Sequence, residues 1–366
     1  IILTASGDRD HAIMNIVASA FGNAGQKCSA CSLLLVERSV YEDKNFREKL
    51  KDAATSMKVG SVWNPGNVVG PMITNGNDKL LKALELEQGE SWLVPPQFLD
   101  KNKYVLAPTV KWGVRPGSYS FRTELFGPML SVVCIENLQQ GIELVNSLDY
   151  GLTSGLQSLD EEEQRLWKNS IMAGNLYINR GITGAIVNRQ PFGGMKLSAF
   201  GGVKAGGPNY CACFVKISDK PGSTTDYKQS YPKAYEQEFA HARDINNLYG
   251  EQNVFRYLPL RNMVLRLFPG DTNEDAQMIA FAAKICHTPL TISFEPGDDR
   301  TTALASLGCS LKKESLQEFL KSMSEYERIR TCGVDIPMEM YEGAARTDKY
   351  IATAKPVKNG RVELIH

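Results

Sequence analysis

Several features that mark whole classes of protein are scarce or absent in this sequence. Neither sign of charge prevails, because 41 Lys and Arg residues face 41 Asp and Glu residues and the formal net charge is zero. Nucleic-acid-binding proteins concentrate positive charge, so this balance argues against a nucleic-acid partner. No apolar run reaches the roughly 18 residues that a membrane-spanning helix needs. Hydrophobic residues still make up 43% of the chain, which is enough to form a core and excludes wholesale disorder.

Histidine and cysteine are too sparse and too scattered for a metal site or a disulfide scaffold. The eight cysteines include one C-x-x-C pair, Cys28 and Cys31, and one C-x-C pair, Cys211 and Cys213. Zinc would need a second close pair or histidines at ligand spacing, and the four histidines lie far apart. We therefore predict no metal site, and reduced thiols in a cytoplasmic protein.

The length of 366 residues predicts two domains at about 100–200 residues each. Apolar runs alternate with amphipathic stretches along the chain, which predicts an α/β fold with largely parallel sheets. A Pro-Gly-Ser stretch marks residues 219–226 as a linker, so we expect domains at 1–218 and 227–366. In the second domain, a helix predicted over 273–286 lies between two short strands, which forms a βαβ-like, Rossmann-like unit.

Apolar stretches predict the strands of the first domain. They lie at 33–36, 104–110, 130–135, 152–156 and 175–179. Before the first of them, apolar residues from Ile13 to Phe21 recur at helical spacing and predict a helix that ends at Gly22. Glycine is dense between residues 180 and 207, which predicts turns and close backbone approach rather than regular structure.

Cys28 is the candidate nucleophile, because it lies between the predicted helix and the first apolar strand. Such a junction can expose a side chain in a cleft while its backbone N–H faces a developing oxyanion. A thiolate is a strong nucleophile toward a carbonyl carbon near neutral pH. The residues alone leave open a buried structural cysteine or a redox pair with Cys31, although redox pairs normally begin a helix.

Three motifs of the first domain together resemble those of the aldehyde dehydrogenase superfamily. Residues 21–28 read Phe-Gly-Asn-Ala-Gly-Gln-Lys-Cys and are similar to the motif F-x-x-x-G-Q-x-C. Residues 124–128 read Glu-Leu-Phe-Gly-Pro and are similar to E-x-F-G-P. Residues 191–201 are similar to P-F-G-G-x-K-x-S-x-x-G. The motifs follow the order of the superfamily, and this resemblance implies an aldehyde dehydrogenase-like catalytic domain of parallel-sheet α/β type.

The resemblance implies NAD-dependent oxidation of an aldehyde through a cysteine thiohemiacetal and a thioester. Cys28 matches the nucleophile, and its backbone N–H matches one oxyanion donor. Glu124 matches the residue that binds the nicotinamide ribose hydroxyls, and Phe126 matches the ring that packs near the nicotinamide. Without the motif, Glu124 would be interpreted as an exposed loop carboxylate.

A longer run, residues 181–194, resembles the T-G-[AS]-I-V-x-x-Q-P-F-G-G loop of glutamate semialdehyde dehydrogenases. This resemblance implies that the substrate is L-glutamate γ-semialdehyde, the open form of Δ1-pyrroline-5-carboxylate, and that the product is L-glutamate. It also implies that the backbone N–H groups of Gly184 and Ala185 anchor the α-carboxylate, because loop amides suit an anion. The Ser29 hydroxyl would assist, and Phe192 would pack on the aliphatic chain.

The same resemblance extends to the bifunctional proline utilization A proteins, which act in proline catabolism. Their long forms append a domain that is similar to a degenerate aldehyde dehydrogenase unit and is thought to cover a channel for the intermediate. Residues 227–366 resemble that domain and carry no nucleophile motif, so we expect a non-catalytic, structural role. NAD would serve this half, and FAD would belong to a proline dehydrogenase domain elsewhere in the parent chain. The resemblance is compatible with a homodimer, and with peripheral membrane contact through that other half.

The chain begins Ile1-Ile2-Leu3 without Met, and by the resemblance three functional parts would precede it. They are the glutamate that activates the hydrolytic water, the asparagine that completes the oxyanion hole, and the dinucleotide-binding domain. General-base catalysis contributes about 10²–10⁴-fold, so we expect these 366 residues alone to be inactive. Two alternatives remain: an aldehyde dehydrogenase of other specificity, and a catalytically inactive assembly module that keeps the motifs.

Overall fold

The computed structural model describes residues 1–186, 189–199, 201, 203–333 and 335–366. Val187, Asn188 and Phe200, which belong to the motifs quoted above, lie outside the described residues. The chain divides into two compact units. Unit 1 comprises Ile1–Ala185 and Gly193–Ser198, and unit 2 comprises Ile186–Phe192 and Ala199–His366. The domain limits at residues 218 and 227 remain a prediction.

Unit 1 alternates strands with helices, as its sequence pattern predicts. Its strands are β1 (Ile2–Leu3), β2 (Leu33–Glu37), β3 (Ser91–Val94), β4 (Thr109–Trp112), β5 (Met129–Ile135), β6 (Tyr150–Gly151), β7 (Thr153–Gln157), β8 (Asn175–Ile178) and β9 (Met195–Lys196). Its helices are α1 (Arg9–Phe21), α2 (Arg38–Tyr41), α3 (Lys44–Thr55), α4 (Asp78–Ala83), α5 (Tyr119–Arg122), α6 (Leu138–Asn146) and α7 (Glu161–Ser170).

Within the described part of unit 1, seven strands form one sheet in the order β3-β4-β5-β2-β1-β7-β8. Every neighbouring pair is parallel except β3 and β4. Parallel strands are covered on both faces, which explains why β2 and β5 are mostly apolar and why the middle of β2 and nearly all of β5 are buried. The segments that lead into β2 and β5 therefore reach the same edge of the sheet, where the strands begin.

The strand predicted over 104–110 is wrong in its position. The structure begins β4 at Thr109, directly after Pro108, whose nitrogen carries no hydrogen to donate to a strand ladder. The preceding residues pair instead with a nearby loop, since Leu99 N–H donates to Val105 O at 2.8 Å and Ala107 N–H donates to Gln97 O at 2.9 Å. The other predicted strands of this unit agree with β2, β5, β7 and β8 to within one residue.

Unit 2 contains a second parallel α/β layer. Its strands are β10 (Arg243–Asp244), β11 (Val254–Phe255), β12 (Met263–Arg266), β13 (Leu290–Phe294), β14 (Ser310–Lys313), β15 (Arg328–Arg330) and β16 (Tyr350–Ala352). Its α-helices are α8 (Tyr227–Ala234), α9 (Asn273–Ile285), α10 (Thr301–Ala305), α11 (Leu316–Ser322), α12 (Met338–Thr347) and α13 (Gly360–Glu363).

The main sheet of unit 2 has the order β14-β13-β12-β15-β16, and its neighbouring pairs are parallel. Numbered along the chain, this is the order 3-2-1-4-5 of doubly wound dinucleotide-binding folds. The predicted unit of strand, helix and strand is present as β12, α9 and β13. The α/β fold class predicted from the sequence is confirmed in both units.

One charged pair of unit 1 is fully buried. Lys111 Nζ, on β4, lies 2.9 Å from Glu90 Oε2, and each side chain is 1% exposed. The same ammonium group donates to Glu85 O at 2.7 Å and to Ser120 Oγ at 3.1 Å. The Lys111 ammonium group therefore links β4 to α5 and to the segment that precedes β3.

We expect Lys111→Met to destabilise the protein by about 3–5 kcal/mol, because Glu90 would keep a buried charge without a cation. The urea unfolding midpoint measures this loss. Lys49→Met is the matched control: Lys49 pairs with Asp10 at 2.8 Å on the surface, with side chains 46% and 71% exposed. That change should alter stability by less than about 1 kcal/mol. Equal midpoints for the two variants would contradict the prediction.

Candidate active site

Cys28 lies on an exposed turn between α1 and β2. After α1 the chain reverses through a short 3₁₀ segment, Gly22–Gly25, in which Asn23, Ala24 and Gly25 have φ values of 56°, 55° and 65°. The next turn is closed by Ala30 N–H, which donates to Lys27 O at 2.9 Å. Cys28 is exposed on this turn, whereas the neighbouring Ser29 is only 5% exposed. The turn thus exposes Cys28 and buries the residue that follows it.

The turn that contains Glu124 and Phe126 packs directly against the cysteine segment. A Cβ atom on Gly25 would lie 2.2 Å from Gly127 O, so the two backbones touch where both residues lack a side chain. Gln26 bridges the same two segments, because its Nε2 donates to Phe126 O at 3.2 Å. The contact follows from the topology, since these segments lead into the neighbouring parallel strands β2 and β5.

Two side chains of this second turn are exposed, whereas Leu125 between them is buried. Glu124 is exposed, and Phe126 is 39% exposed with a left-handed φ of 52°. Asn77 stabilises the main chain of this turn, because its Nδ2 donates to Leu125 O at 3.0 Å. A thiol, a carboxylate and an aromatic ring are therefore all exposed on two turns that contact each other through Gly25 and Gly127.

The predicted anchor loop is attached to α1 of unit 1. Ile182 N–H donates to Ser19 Oγ at 3.0 Å, and Cys31 N–H donates to the main-chain oxygen of Ser19 at 3.0 Å. Gly184 is exposed and has a φ of 86°, which favours glycine, and Ala185 is half-buried. One buried helix residue thus contacts both the anchor loop and the segment that follows Cys28.

Phe192 belongs to unit 2, where its backbone pairs with Ala205. Phe192 N–H donates to Ala205 O at 3.0 Å, and Ala205 N–H donates to Phe192 O at 2.9 Å. The next residue, Gly193, belongs to unit 1 and donates its N–H to Asn175 Oδ1 at 3.1 Å. The Gln-Pro-Phe-Gly-Gly run is therefore the place where the chain returns from unit 2 to unit 1.

Cys31 has the environment of a structural cysteine. Its side chain is 2% exposed and donates from Sγ to Leu33 O at 3.3 Å, and burial raises the pKa of its thiol. A redox C-x-x-C pair needs a low-pKa, accessible thiol, so this burial favours the interpretation in which Cys28 acts without Cys31. Across the described residues, no group of three or more His, Cys, Asp or Glu side chains is arranged to hold a metal ion. None of the helices in the described ranges is long and apolar enough to cross a membrane.

The dinucleotide-type fold of unit 2 does not present a phosphate site at the start of α9. In such folds the phosphates of the dinucleotide lie at the N-terminus of the helix that follows the first strand. The positive end of the helix dipole and the free N–H groups favour anions there. Here the first turn of α9 carries Glu274 and Asp275, and Thr272 Oγ1 accepts from Asp275 N–H at 3.0 Å. Arg300 donates to Asp271 O at 2.9 Å and to Phe268 O at 3.1 Å, which fills the adjoining loop.

A sequence profile of the aldehyde dehydrogenase family matches residues 1–219. The chain belongs to the aldehyde dehydrogenase family. The resemblance inferred from its three motifs is thereby confirmed. The matched segment contains all three motifs and each of the seven predicted site residues.

The relatives of this chain described here are longer proteins. The chain is 34% identical over 212 residues to the 1-pyrroline-5-carboxylate dehydrogenase of Geobacillus sp. (strain WCH70). The aligned region covers 57% of this chain and 41% of that relative. Its structure is similar to proline utilization A from Corynebacterium freiburgense, with a TM-score of 0.82 and 35% identity over 100% of this chain and 37% of that one.

A third relative is a 1-pyrroline-5-carboxylate dehydrogenase from Thermus, solved with bound NAD. The TM-score is 0.54 at 34% identity, over 58% of this chain and 41% of that chain. The chain therefore spans about two fifths of the length of these three relatives: 41%, 37% and 41%, in the order given.

Sequence reasoning missed the residues that hold the motifs together. Gly25 and Gln26 were part of the quoted motif, but their contacts with residues 126 and 127 emerge only in the structure. Ser19 was overlooked because it lies among the apolar residues of α1. A signal was present: His11, Asn15 and Ser19 are polar and four residues apart, which places them on one face of a helix.

Proposed function

We propose that this chain is part of an NAD-dependent aldehyde dehydrogenase that oxidises L-glutamate γ-semialdehyde to L-glutamate in proline catabolism. The observation that carries the proposal is the contact between the cysteine turn and the Glu124–Phe126 turn through Gly25 and Gly127. It brings an exposed thiol and an exposed carboxylate onto adjoining turns. Relatives named 1-pyrroline-5-carboxylate dehydrogenase support the choice of substrate.

In the proposed reaction, the Cys28 thiolate adds to the aldehyde carbon to form a thiohemiacetal. The Cys28 backbone N–H donates to the oxygen that becomes negatively charged. Loss of a hydride converts the thiohemiacetal to a thioester, and water then releases the carboxylic acid. NAD, when bound, supplies the hydride acceptor. Cys28 is suited to the first step because it is exposed on a turn of defined backbone geometry.

Glu124 and Phe126 fit the nicotinamide end of the cofactor. A carboxylate accepts hydrogen bonds from the two vicinal hydroxyls of a ribose, and Glu124 is exposed to receive them. The ring of Phe126 is partly exposed beside it and offers an apolar surface to a flat heterocycle. By the family resemblance, a dinucleotide-binding domain would hold the adenosine end.

The loop at Gly184 and Ala185 would hold the α-carboxylate of the substrate. An anion-binding nest combines a right-handed residue with a left-handed one, and Gly184 has a left-handed φ of 86°. Among the described residues, no heavy atom beyond the two chain neighbours lies within 4 Å of the position that a Cβ on Gly184 would take. Ser29 would add a hydroxyl donor, and Phe192 would contact the aliphatic part of the substrate.

We further propose that the chain belongs to a bifunctional parent of the proline utilization A type. The match to such a protein over the whole chain supports this assignment. A proline dehydrogenase domain with FAD would then lie elsewhere in the parent, and residues 227–366 would form a non-catalytic domain. The acidic first turn of α9 agrees with the latter, because Glu274 and Asp275 repel a nucleotide phosphate. A homodimer and peripheral membrane contact stay predictions.

A comparison of two aldehydes tests the proposal in the full-length protein. We expect kcat/KM for L-glutamate γ-semialdehyde to exceed that for succinate semialdehyde by about tenfold or more, because only the former carries the α-amino acid group that the loop would bind. Formation of NADH measures both reactions. Equal or reversed values would indicate an aldehyde dehydrogenase of other specificity. Absence of turnover with any aldehyde would indicate an inactive assembly module.

A further inference from the structure

Three polar side chains form a row along α1, at His11, Asn15 and Ser19. Their spacing of four residues places them on one face of the helix. Each contacts the segment that follows β8, directly or through one other side chain. The row is distinct from the apolar face of α1, which is buried in the core of unit 1 and includes Ile13 and Ile16.

The contacts follow the segment in chain order. His11 donates from Nε2 to Asn179 O at 3.0 Å. Asn15 Nδ2 donates to the side-chain oxygen of Gln157 at 3.2 Å, and Gln157 Nε2 donates to Arg180 O at 3.1 Å. Ile182 N–H then donates to Ser19 Oγ at 3.0 Å. Residues 179–182 therefore run along α1, from the edge where β8 ends toward the edge where β2 begins.

Ser19 occupies a special place at the end of this row. It is 1% exposed, and its main-chain oxygen accepts from Cys31 N–H while its hydroxyl accepts from Ile182 N–H. Gly181 approaches closely, because a Cβ on Gly181 would lie 3.2 Å from Ser19 Oγ. One residue of a rigid helix thus ties the segment after Cys28 to the segment before Gly184.

We propose that Ser19 is a positioning residue that fixes the separation between the Cys28 thiol and the anchor loop, and so selects the chain length of the substrate. This inference rests on the proposed function. A semialdehyde with an anchored α-carboxylate can place its aldehyde carbon at the thiol only if the two sites are correctly spaced. An aldehyde without a carboxylate does not use the anchor and is insensitive to that spacing.

Ser19 can fix this separation because its hydrogen bond with Ile182 N–H is buried. Replacement of the Ser19 hydroxyl by a hydrogen atom leaves Ile182 N–H buried without its acceptor, so the segment must move to satisfy it. The main-chain bond from Cys31 is unaffected, because the carbonyl of residue 19 remains. The change should therefore move the anchor loop and leave the cysteine turn in place.

Kinetics of the Ser19→Ala variant in the full-length protein test the proposal. We expect KM for L-glutamate γ-semialdehyde to rise about tenfold with little change in kcat, and KM for NAD to stay within twofold. With propanal, which has no carboxylate, kcat/KM should also stay within twofold. Ser19→Thr retains the hydroxyl and should restore KM. As a readout without turnover, the Kd for L-glutamate in titration calorimetry should rise about tenfold in Ser19→Ala.

Ser131→Ala is the matched control. Ser131 lies on β5, is fully buried, and its hydroxyl has no hydrogen-bond partner among the described residues. That variant should keep the wild-type KM for both aldehydes. Equal losses of Ser19→Ala on the semialdehyde and on propanal, or no change on either, would overturn the positioning role. A wild-type protein that does not oxidise the semialdehyde would instead refute the proposed function, and the two failures are thereby distinguished.

Discussion

Cys28→Ala abolishes NADH formation from Δ1-pyrroline-5-carboxylate in the full-length protein, if the proposed function is correct. Alanine has no group that can add to the aldehyde carbon, so neither the thiohemiacetal nor the thioester forms. We expect kcat to fall by at least about 10³-fold, as is usual when a covalent nucleophile is removed. The fold should be unaffected because Cys28 is exposed on its turn. Absorbance of NADH at saturating substrate measures the loss.

Cys213→Ala is the matched control for that experiment. Cys213 is also an exposed cysteine, but it lies in unit 2 within the short helical segment Tyr210–Phe214. Its removal should leave kcat within about twofold of the wild type. An unchanged circular dichroism spectrum and an unchanged Kd for NAD would show that Cys28→Ala is folded. Persistent NADH formation by that folded variant would remove Cys28 from the role of nucleophile.

Gly25→Ala should have the second largest effect, because it separates the two turns that carry Cys28 and Glu124. The new Cβ would lie 2.2 Å from Gly127 O and 2.6 Å from Gly127 C. Both are backbone atoms, so no flexible side chain can yield. The φ of 65° at Gly25 adds strain for any residue with a Cβ. The two backbones must move apart, which also disturbs the hydrogen bond from Gln26 Nε2 to Phe126 O.

We expect this displacement to lower kcat/KM by about 10²-fold, since a shift of roughly 1 Å in a catalytic group has an effect of that size. Stability should also fall, by about 1–3 kcal/mol, because overpacking forces the backbone to shift. Gly22→Ala is the matched control in the same turn. Gly22 has a φ of −53°, and among the described residues no heavy atom beyond its chain neighbours lies within 4 Å of the position that its Cβ would take. That variant should retain wild-type stability to within about 0.5 kcal/mol.

The outcome that would contradict the prediction is wild-type activity in Gly25→Ala. It would mean that the cysteine turn does not depend on its contact with Gly127. A variant that loses stability but keeps kcat/KM would limit the contact to a structural role. Chemical unfolding and steady-state kinetics on both glycine variants separate these cases.

Local patterns predicted much of the fold. The helical spacing of apolar residues from Ile13 to Phe21 agrees with α1, and the predicted end at Gly22 agrees with its C-terminus. The strand, helix and strand at the start of the sheet in unit 2 were predicted to within a few residues. These predictions succeed because burial of one face of a helix or strand makes apolar residues recur at a fixed spacing. That spacing is visible within a short stretch of sequence. The prediction over 104–110 failed where Pro108 interrupts the ladder.

Burial of charge could not be predicted in the same way. Lys111 follows Val110 in a strand, and a lysine there would ordinarily be assigned to the solvent face. The structure buries it because Glu90, twenty-one residues earlier, supplies a carboxylate at 2.9 Å. That partner is brought close by the antiparallel pairing of β3 with β4, which depends on the folded sheet.

The sequence by itself determined the family, the α/β class and the residues whose chemistry suits an aldehyde. Only the tertiary structure decided which of those segments touch. Gly25 meets Gly127 because β2 and β5 are neighbours in the sheet, and Ser19 reaches Ile182 because the chain after β8 runs back along α1. Strand order is a property of the whole unit, and residues about 100 or more positions apart leave no periodic signal of their contact. The motifs are local in the sequence, whereas the distances between them are set by the sheet.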